Sequence, residues 1–203
     1  MDTYTLLNEM NEMMTNPEKI RHGVTLTCFL LFTSLTDPCF AAEKKVIHSV
    51  GSFPAIKAEN LNEKTFHLPA DFPSDRTLLL LGFKREQADT LETWIEGLNL
   101  KETEIVWFEM PVISSAYSIG AFFIDGAMRR GVPDLRMREH IITLYTDQRA
   151  FASSMGIDDQ TLGAYVAVVD RKGHHLGFVQ GEFSPIKAAR ITSLLRSKQV
   201  VRP

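Results

Sequence analysis

Cysteine is nearly missing from this chain. It has two in 203 residues, Cys28 and Cys39, and none after position 39. Their spacing is too wide for a C-x-x-C pair, and no histidine cluster accompanies them, so neither a dithiol motif nor a zinc site is written there. Positive excess is missing too. A net charge of −3 argues against a domain that binds nucleic acid by neutralising phosphates. There is no phosphate-binding glycine loop. Ser114-Ser115 and Ser153-Ser154 lie in no G-x-S-x-G elbow. His174 and His175 are adjacent on a predicted strand and would point to opposite faces, while His67 and His140 stand alone. The reading is therefore no metal and no cofactor.

Hydrophobic residues make up 44% and charged residues 23%, enough for one soluble domain with a proper core. An appendage precedes it. Lys19 and Arg21 lead into an apolar run, Val24 to Leu35. At about 12 residues the run has the length of a signal h-region and is too short to span a bilayer as a helix. Asp37-Pro38 and Cys39-Phe40-Ala41-Ala42 follow, which suits cleavage after Ala41 or Ala42. No lipoprotein box precedes Cys39, so no lipid is expected on it.

Asp2, Glu9 and Glu12 are unusual in a signal, and a start at Met13 or Met14 would leave a conventional basic n-region. The same acidity counts against a mitochondrial presequence. The ordinary alternative is a buried helix of a non-exported protein. Residues 1–42 are thus read as an export signal, 43–60 as an irregular lead-in, and about 50–200 as one domain. Cleavage would leave a periplasmic or otherwise exported chain without any thiol.

Along the domain, Phe53–Ile56 and Thr65–Pro69 read as short edge strands around a turn at Glu59–Asn62. Thr77–Phe83 is a continuous apolar run that suits a strand buried on both faces. Leu91, Trp94, Ile95 and Leu98 form one stripe of a helix over Glu86–Asn99. Glu104–Glu109 is a second strand stopped by Pro111, which makes a right-handed β-α-β unit. Ala116–Arg130 is a predicted helix ended by Gly131 and Pro133. Ile141–Thr146 is a third strand, and Asp147 caps a short helix closed by Gly156. Ala164–Asp170 and His174–Gln180 form a hairpin through Gly173. Ser184 and Pro185 open a last helix, with Ile186, Ala189, Arg190, Ser193 and Leu194 at helical spacing.

This order of elements is that of a thioredoxin-like fold with extra elements in the middle. Leu144–Asp147, Phe151, Met155–Ile157, Ala164–Asp170, Gly173, Gly181 and Leu194 resemble the second half of peroxiredoxins and membrane-associated thiol–disulfide oxidoreductases. Phe53-Pro54 is similar to the segment that leads into their first buried strand. The likeness covers about 50–197. It implies an α/β fold with a central mixed sheet flanked by helices, N-terminal extended pieces and an inserted helix.

The departures concern the redox site. In redox members the catalytic cysteine lies between the first buried strand and its helix; here that stretch is Gly82–Leu91, without one. Those families also carry a cis-proline before the third core strand, where this chain has Leu162-Gly163-Ala164. Phe53-Pro54, Leu78–Phe83 followed by a helix bearing Trp94, and Phe123–Pro133 are similar to the mitochondrial ATP synthase assembly factor family with a thioredoxin-like domain, and its bacterial homologues. That resemblance implies an assembly factor rather than an enzyme.

Candidate binding residues follow. Arg129, Arg130, Arg136 and Arg138 are four arginines within ten residues. Their planar forks suit carboxylate or phosphate, on a protein acidic patch or an anionic headgroup. The alternative is solvation or pairing with Asp125, Asp134 and Glu139. Ile119, Phe122 and Phe123 form a stripe that would face a partner or, as such stripes more often do, the core. The groove between Phe83–Ala88 and Leu162–Ala164 is a further surface, through Phe83, Lys84, Arg85 and Gly163, with Asp125 a further candidate.

The leading expectation is an exported, non-catalytic binder of a cell-envelope protein, with no nucleic-acid partner. One alternative is a non-redox enzyme using Asp125, His140 or Asp147. Another is a small-ligand or lipid carrier, which would need a deep apolar cavity.

Overall fold

The computed structural model describes residues 51–157 and 162–197. The expected export signal, its cleavage point, both cysteines and the first part of the lead-in lie outside the described residues.

Seven strands form one sheet in the order β2-β1-β5-β4-β3-β6-β7. They are β1 (Ile56–Asn60), β2 (Thr65–Leu68), β3 (Thr77–Gly82), β4 (Trp107–Ser114), β5 (Ile142–Thr146), β6 (Tyr165–Val169) and β7 (His175–Gln180). The helices are α1 (Ala88–Gly97), α2 (Ala121–Gly131), α3 (Leu135–His140), α4 (Gln148–Ser154) and α5 (Pro185–Arg196). β3 pairs in parallel with β4 and antiparallel with β6, and β4 pairs in parallel with β5.

β3 organises the core. Leu78, Leu79, Leu80 and Leu81 are all fully buried. Because strand side chains alternate, Leu79 and Leu81 enter one apolar cluster, with Phe53, Phe108, Met110 and Phe151. Leu78 and Leu80 enter the other, with Trp94, Ile95, Trp107 and Ile191. The continuous apolar run thus has the expected cause, a helix layer on each face.

α1 covers the second face through Leu91, Trp94 and Ile95. The Trp94 ring meets Phe183 edge-on at 5.4 Å, and its Nε1–H donates to the Gly181 carbonyl at 2.8 Å. Asp147 caps α4 by accepting from the Arg149 and Ala150 amides, and Ser184 caps α5 from the Lys187 amide. Gly173, with φ +81°, makes the β6–β7 turn.

Five expectations are corrected. Residues 43–60 are not irregular to their end, since β1 begins at Ile56 and lies between β2 and β5. The turn starts later than expected because buried Asn60 stays in the strand while its Oδ1 accepts from the Asn62 and Lys64 amides. β4 does not stop at Pro111. Its pairing with β3 ends at Gly82–Pro111, while its other edge is bridged from Glu109–Ile141 on to Ser114–Thr146, so the strand is carried past Pro111 by β5.

The predicted helix over Ala116–Arg130 divides into a 3-10 stretch, Ser115–Gly120, and α2. In α5 the inward residue is Ile191, supported by Ala188, Leu194 and Leu195, whereas Ile186 is exposed.

Replacing Trp94 with Ala should cost ~3–5 kcal/mol in chemical denaturation through the cavity and lost transfer energy. Trp94→Phe should cost about 1–2 kcal/mol for the unpaired Gly181 carbonyl and the smaller ring. An Ala variant close to the parent would contradict this account of the α1 face.

Candidate functional site

The turn after β3 is built by two glutamines. Gln87 Oε1 accepts from the Phe83 and Lys84 amides at 2.7 and 3.1 Å, and its Nε2 donates to the Leu162 carbonyl at 2.7 Å. Gln148 Nε2 donates to the Phe83 and Val112 carbonyls at 2.8 and 2.6 Å. Through Gln87 the turn of Phe83, Lys84 and Arg85 is tied to Leu162, but Leu162 and Gly163 do not line the cleft that opens next to it. The Phe83 side chain is buried and packs on Phe151 and Tyr165, so it supports the turn from below, while Lys84 and Arg85 project into solvent. A Cβ on Gly163 would meet only the Gln180 side chain.

Next to this turn a cleft of about 930 Å³ opens between α1 and the α2–α3 segment, above β4. Its floor follows from strand alternation. Phe108, Met110 and Val112 point into the core on one face of β4. Trp107 points to the opposite face and is sealed there, but Glu109, Pro111 and Ile113 further along are only half-buried. They line the cleft, with Leu91 of α1 and Ile124, Met128 and Met137 of the opposite wall.

Glu109 was not among the sequence candidates. Burial, and then the nearby Glu92 carboxylate, push its carboxyl up to about 7 from 4.5. No cation of the described residues offsets either effect. A signal was present in the sequence: one charged residue interrupts the otherwise uncharged run Trp107-Phe108-Glu109-Met110-Pro111-Val112.

The four arginines do not form one patch. Arg129 pairs with Glu63 at 2.9 Å. Arg138 donates to the carbonyls of Val132 and Arg129, both at 2.6 Å, and so ties α3 to the end of α2. Arg136 is exposed near Asp134, at 3.9 Å. Arg130 is exposed, and its guanidinium lies over Gly126, making no ion pair with the described residues. The side chains of this segment that line the cleft are apolar, Met128, Val132 and Met137.

The stripe expected to be core is solvent-exposed. Ile119, Phe122 and Phe123 are 98%, 75% and 77% exposed, and Tyr117 beside them is 62% exposed. No residue of α2 is buried. The Phe122 and Phe123 rings pack on each other at 5.7 Å. Tyr117 also lines the cleft, whereas Ile119, Phe122 and Phe123 stand outside it on the same stretch of chain.

Asp125, His140 and Asp147 do not converge. Asp125 accepts from the Tyr145 hydroxyl at 2.9 Å; burial and this bond push the phenol well above its ordinary range. The His140 ring stacks on Trp107 at 4.3 Å, and its Nδ1 donates to the Trp107 carbonyl. Asp147 caps α4. None of the three lines the cleft. His174 pairs with Asp170 at 2.9 Å, while buried His175, pushed below the usual imidazole range by burial, stacks on Phe178. Among the described residues no cluster of His, Cys, Asp or Glu is placed to hold a metal ion, and no helix is long and apolar enough to cross a membrane.

Around β3 stand a parallel β-α-β unit, an antiparallel hairpin and a closing helix. The fold is thioredoxin-like. A candidate electron transfer protein from Aquifex aeolicus VF5 superposes with a TM-score of 0.53 at 8% identity, over 72% of this chain and 97% of that one. BsSco, of the Sco family of cytochrome c oxidase assembly proteins, superposes with a TM-score of 0.50 at 11% identity, over 72% and 92%. Neither a family model nor a curated protein sequence matches this chain. On this thioredoxin-like frame the cleft lies next to the turn between the first buried strand and its helix.

The carboxyl of Glu109 favours its neutral form in the fold, with a value of about 7 against an ordinary 4.5. Its contribution to stability is therefore full below 4.5 and is lost as pH rises through 7. Glu109→Gln should match the parent near pH ~4 and exceed it by about 2–3 kcal/mol near pH ~8, in denaturant titrations. Parallel pH profiles would contradict the burial of this carboxyl.

Proposed function

We propose that this chain is an exported, thiol-independent thioredoxin-like protein that binds a partner protein of the cell envelope, as an assembly or protection factor. The observation that carries this reading is the cleft over β4, together with the exposed apolar side chains of Tyr117, Ile119, Phe122 and Phe123. Contiguous exposed apolar patches mark interaction sites on soluble domains. Aromatic residues and arginine are enriched at the centre of protein interfaces, and Arg130 lies on the same helix as the exposed rings.

Thiol exchange needs a thiolate nucleophile, and the turn after β3 offers Phe83, Lys84 and Arg85 instead. The run Val24–Leu35 and Ala41-Ala42 support export. The likeness to the ATP synthase assembly factor family supports an assembly role. BsSco belongs to a family of assembly proteins for another membrane complex, which adds a fold-level analogy. Protein binding is favoured over the carrier alternative because the apolar surface faces outward beyond the cleft.

Photo-cross-linking from position 117 in the native host, read by mass spectrometry, tests the reading. The parent should capture one dominant envelope protein. Joint replacement of Phe122 and Phe123 by Ser should abolish that capture while shifting stability by no more than ~0.5 kcal/mol, because both rings already face solvent. Reversing exposed Arg130 to Glu should weaken capture several-fold without unfolding, whereas Arg129 is left in place because its ion pair with Glu63 ties down the wall. Capture unaffected by loss of both rings would sink the proposal.

A further inference from the structure

We infer that the cleft over β4 receives a basic side chain of the partner, a lysine or arginine flanked by apolar residues, and that Glu109 is the carboxylate it meets. The inference rests on the partner-binding reading and names the chemistry of what enters the site.

Glu109 occupies a place where an isolated chain gains nothing from a carboxylate. It follows Trp107 on a sheet face whose polar groups on neighbouring β5 are the buried Thr143 hydroxyl and the Tyr145 hydroxyl, which is spent on Asp125, and desolvating an unpaired carboxylate is costly. The groups around it do not compensate. From α1, Asp89 and Glu92 line the cleft, and Glu92 pairs outward with Lys101 at 3.2 Å. From the turn, Lys84 and Arg85 stand exposed at the rim, and neither acts on the Glu109 carboxyl. The opposite wall is apolar, through Ile124, Met128 and Met137. No described side chain supplies the counter-charge to Glu109.

An anionic floor below apolar walls fits an aliphatic stem with a cationic tip, the form of lysine and arginine. Lys84 and Arg85 are solvent-exposed and form no ion pair with Glu109, whose place is set by β4. A free amine shares this chemistry. Tyr117 on the cleft wall is itself largely exposed, however, and Ile119, Phe122 and Phe123 stand exposed in the turns that follow, more apolar surface than a small amine covers. A polypeptide segment covers both.

The sign of the pH effect follows. A bound cation favours the ionised carboxylate, so affinity rises with pH as Glu109 ionises.

The test uses the full chain and a labelled five-residue peptide, capped at both ends, of the composition Leu-Leu-Lys-Leu-Phe. A second peptide carries Glu in place of Lys. Anisotropy at about pH 5.5 and about pH 8 should show the lysine peptide binding roughly fivefold or more tightly at the higher pH. Glu109→Gln should lower its affinity at the higher pH to the level seen at the lower, and the glutamate peptide should bind more weakly than the lysine peptide. Equal affinity for both peptides, or no effect of Glu109→Gln at the higher pH, would overturn the inference. So would n-octylamine binding as tightly as the lysine peptide, which would assign the cleft to a small amine.

The cross-linking experiment separates the two claims. Capture kept in Glu109→Gln but lost with Phe122 and Phe123 overturns this inference and leaves partner binding standing. Absence of capture by the parent overturns the underlying reading itself.

Discussion

The face of β4 that carries Trp107 and Glu109 is sealed at only one end. At Trp107, α1 and α5 close over the sheet with Trp94, Ile95 and Ile191. Beyond it, Glu109, Pro111 and Ile113 have no helix seated on them, and the space above remains as the cleft. The far wall, α2 with α3, contributes no fully buried side chain. Polar ties hold it in place: Tyr145 to Asp125, Arg129 to Glu63, and Arg138 to the carbonyls of Arg129 and Val132. A wall held by partly exposed hydrogen bonds rather than apolar burial belongs to the less protected part of a fold. Such a wall suits a surface that adapts to what it binds.

The turn after β3 shows how one frame hosts different work. Gln87 and Gln148 spend their amides on backbone groups of Phe83, Lys84, Leu162 and Val112. The turn is therefore tied by the neutral amide side chains of two glutamines. The neighbouring cleft combines a carboxylate that its own chain leaves unpaired with an apolar rim that runs into solvent. Both features are unfavourable for an isolated domain, which is the ground of the proposed partner binding.

Much of the frame was legible in the sequence because its signals are local. The run of four leucines in β3, the stripe on α1, the Asp147 and Ser184 caps and the Gly173 turn each rest on a few neighbouring residues. The errors share another cause. An apolar stripe looks the same whether it faces a core or a partner, so the sequence leaves Ile119, Phe122 and Phe123 open between the two, with the core favoured. Pro111 reads as a stop because the pairing with β5 that carries the strand past it lies far along the chain. Arg138 looked like surface charge, although the backbone carbonyls it satisfies are fixed only by the α2–α3 turn. Glu109 was visible as one charge in an apolar strand, but its meaning depends on which helix fails to cover it.

Carbon-detected NMR of the Glu109 side-chain carboxyl, titrated with and without the lysine peptide, tests the central claim most directly. The account predicts a midpoint of about 7 in the free protein, moving downward by about one pH unit or more when the peptide is bound. A midpoint near the ordinary 4.5 in the free protein, or one that does not move on binding, would contradict it.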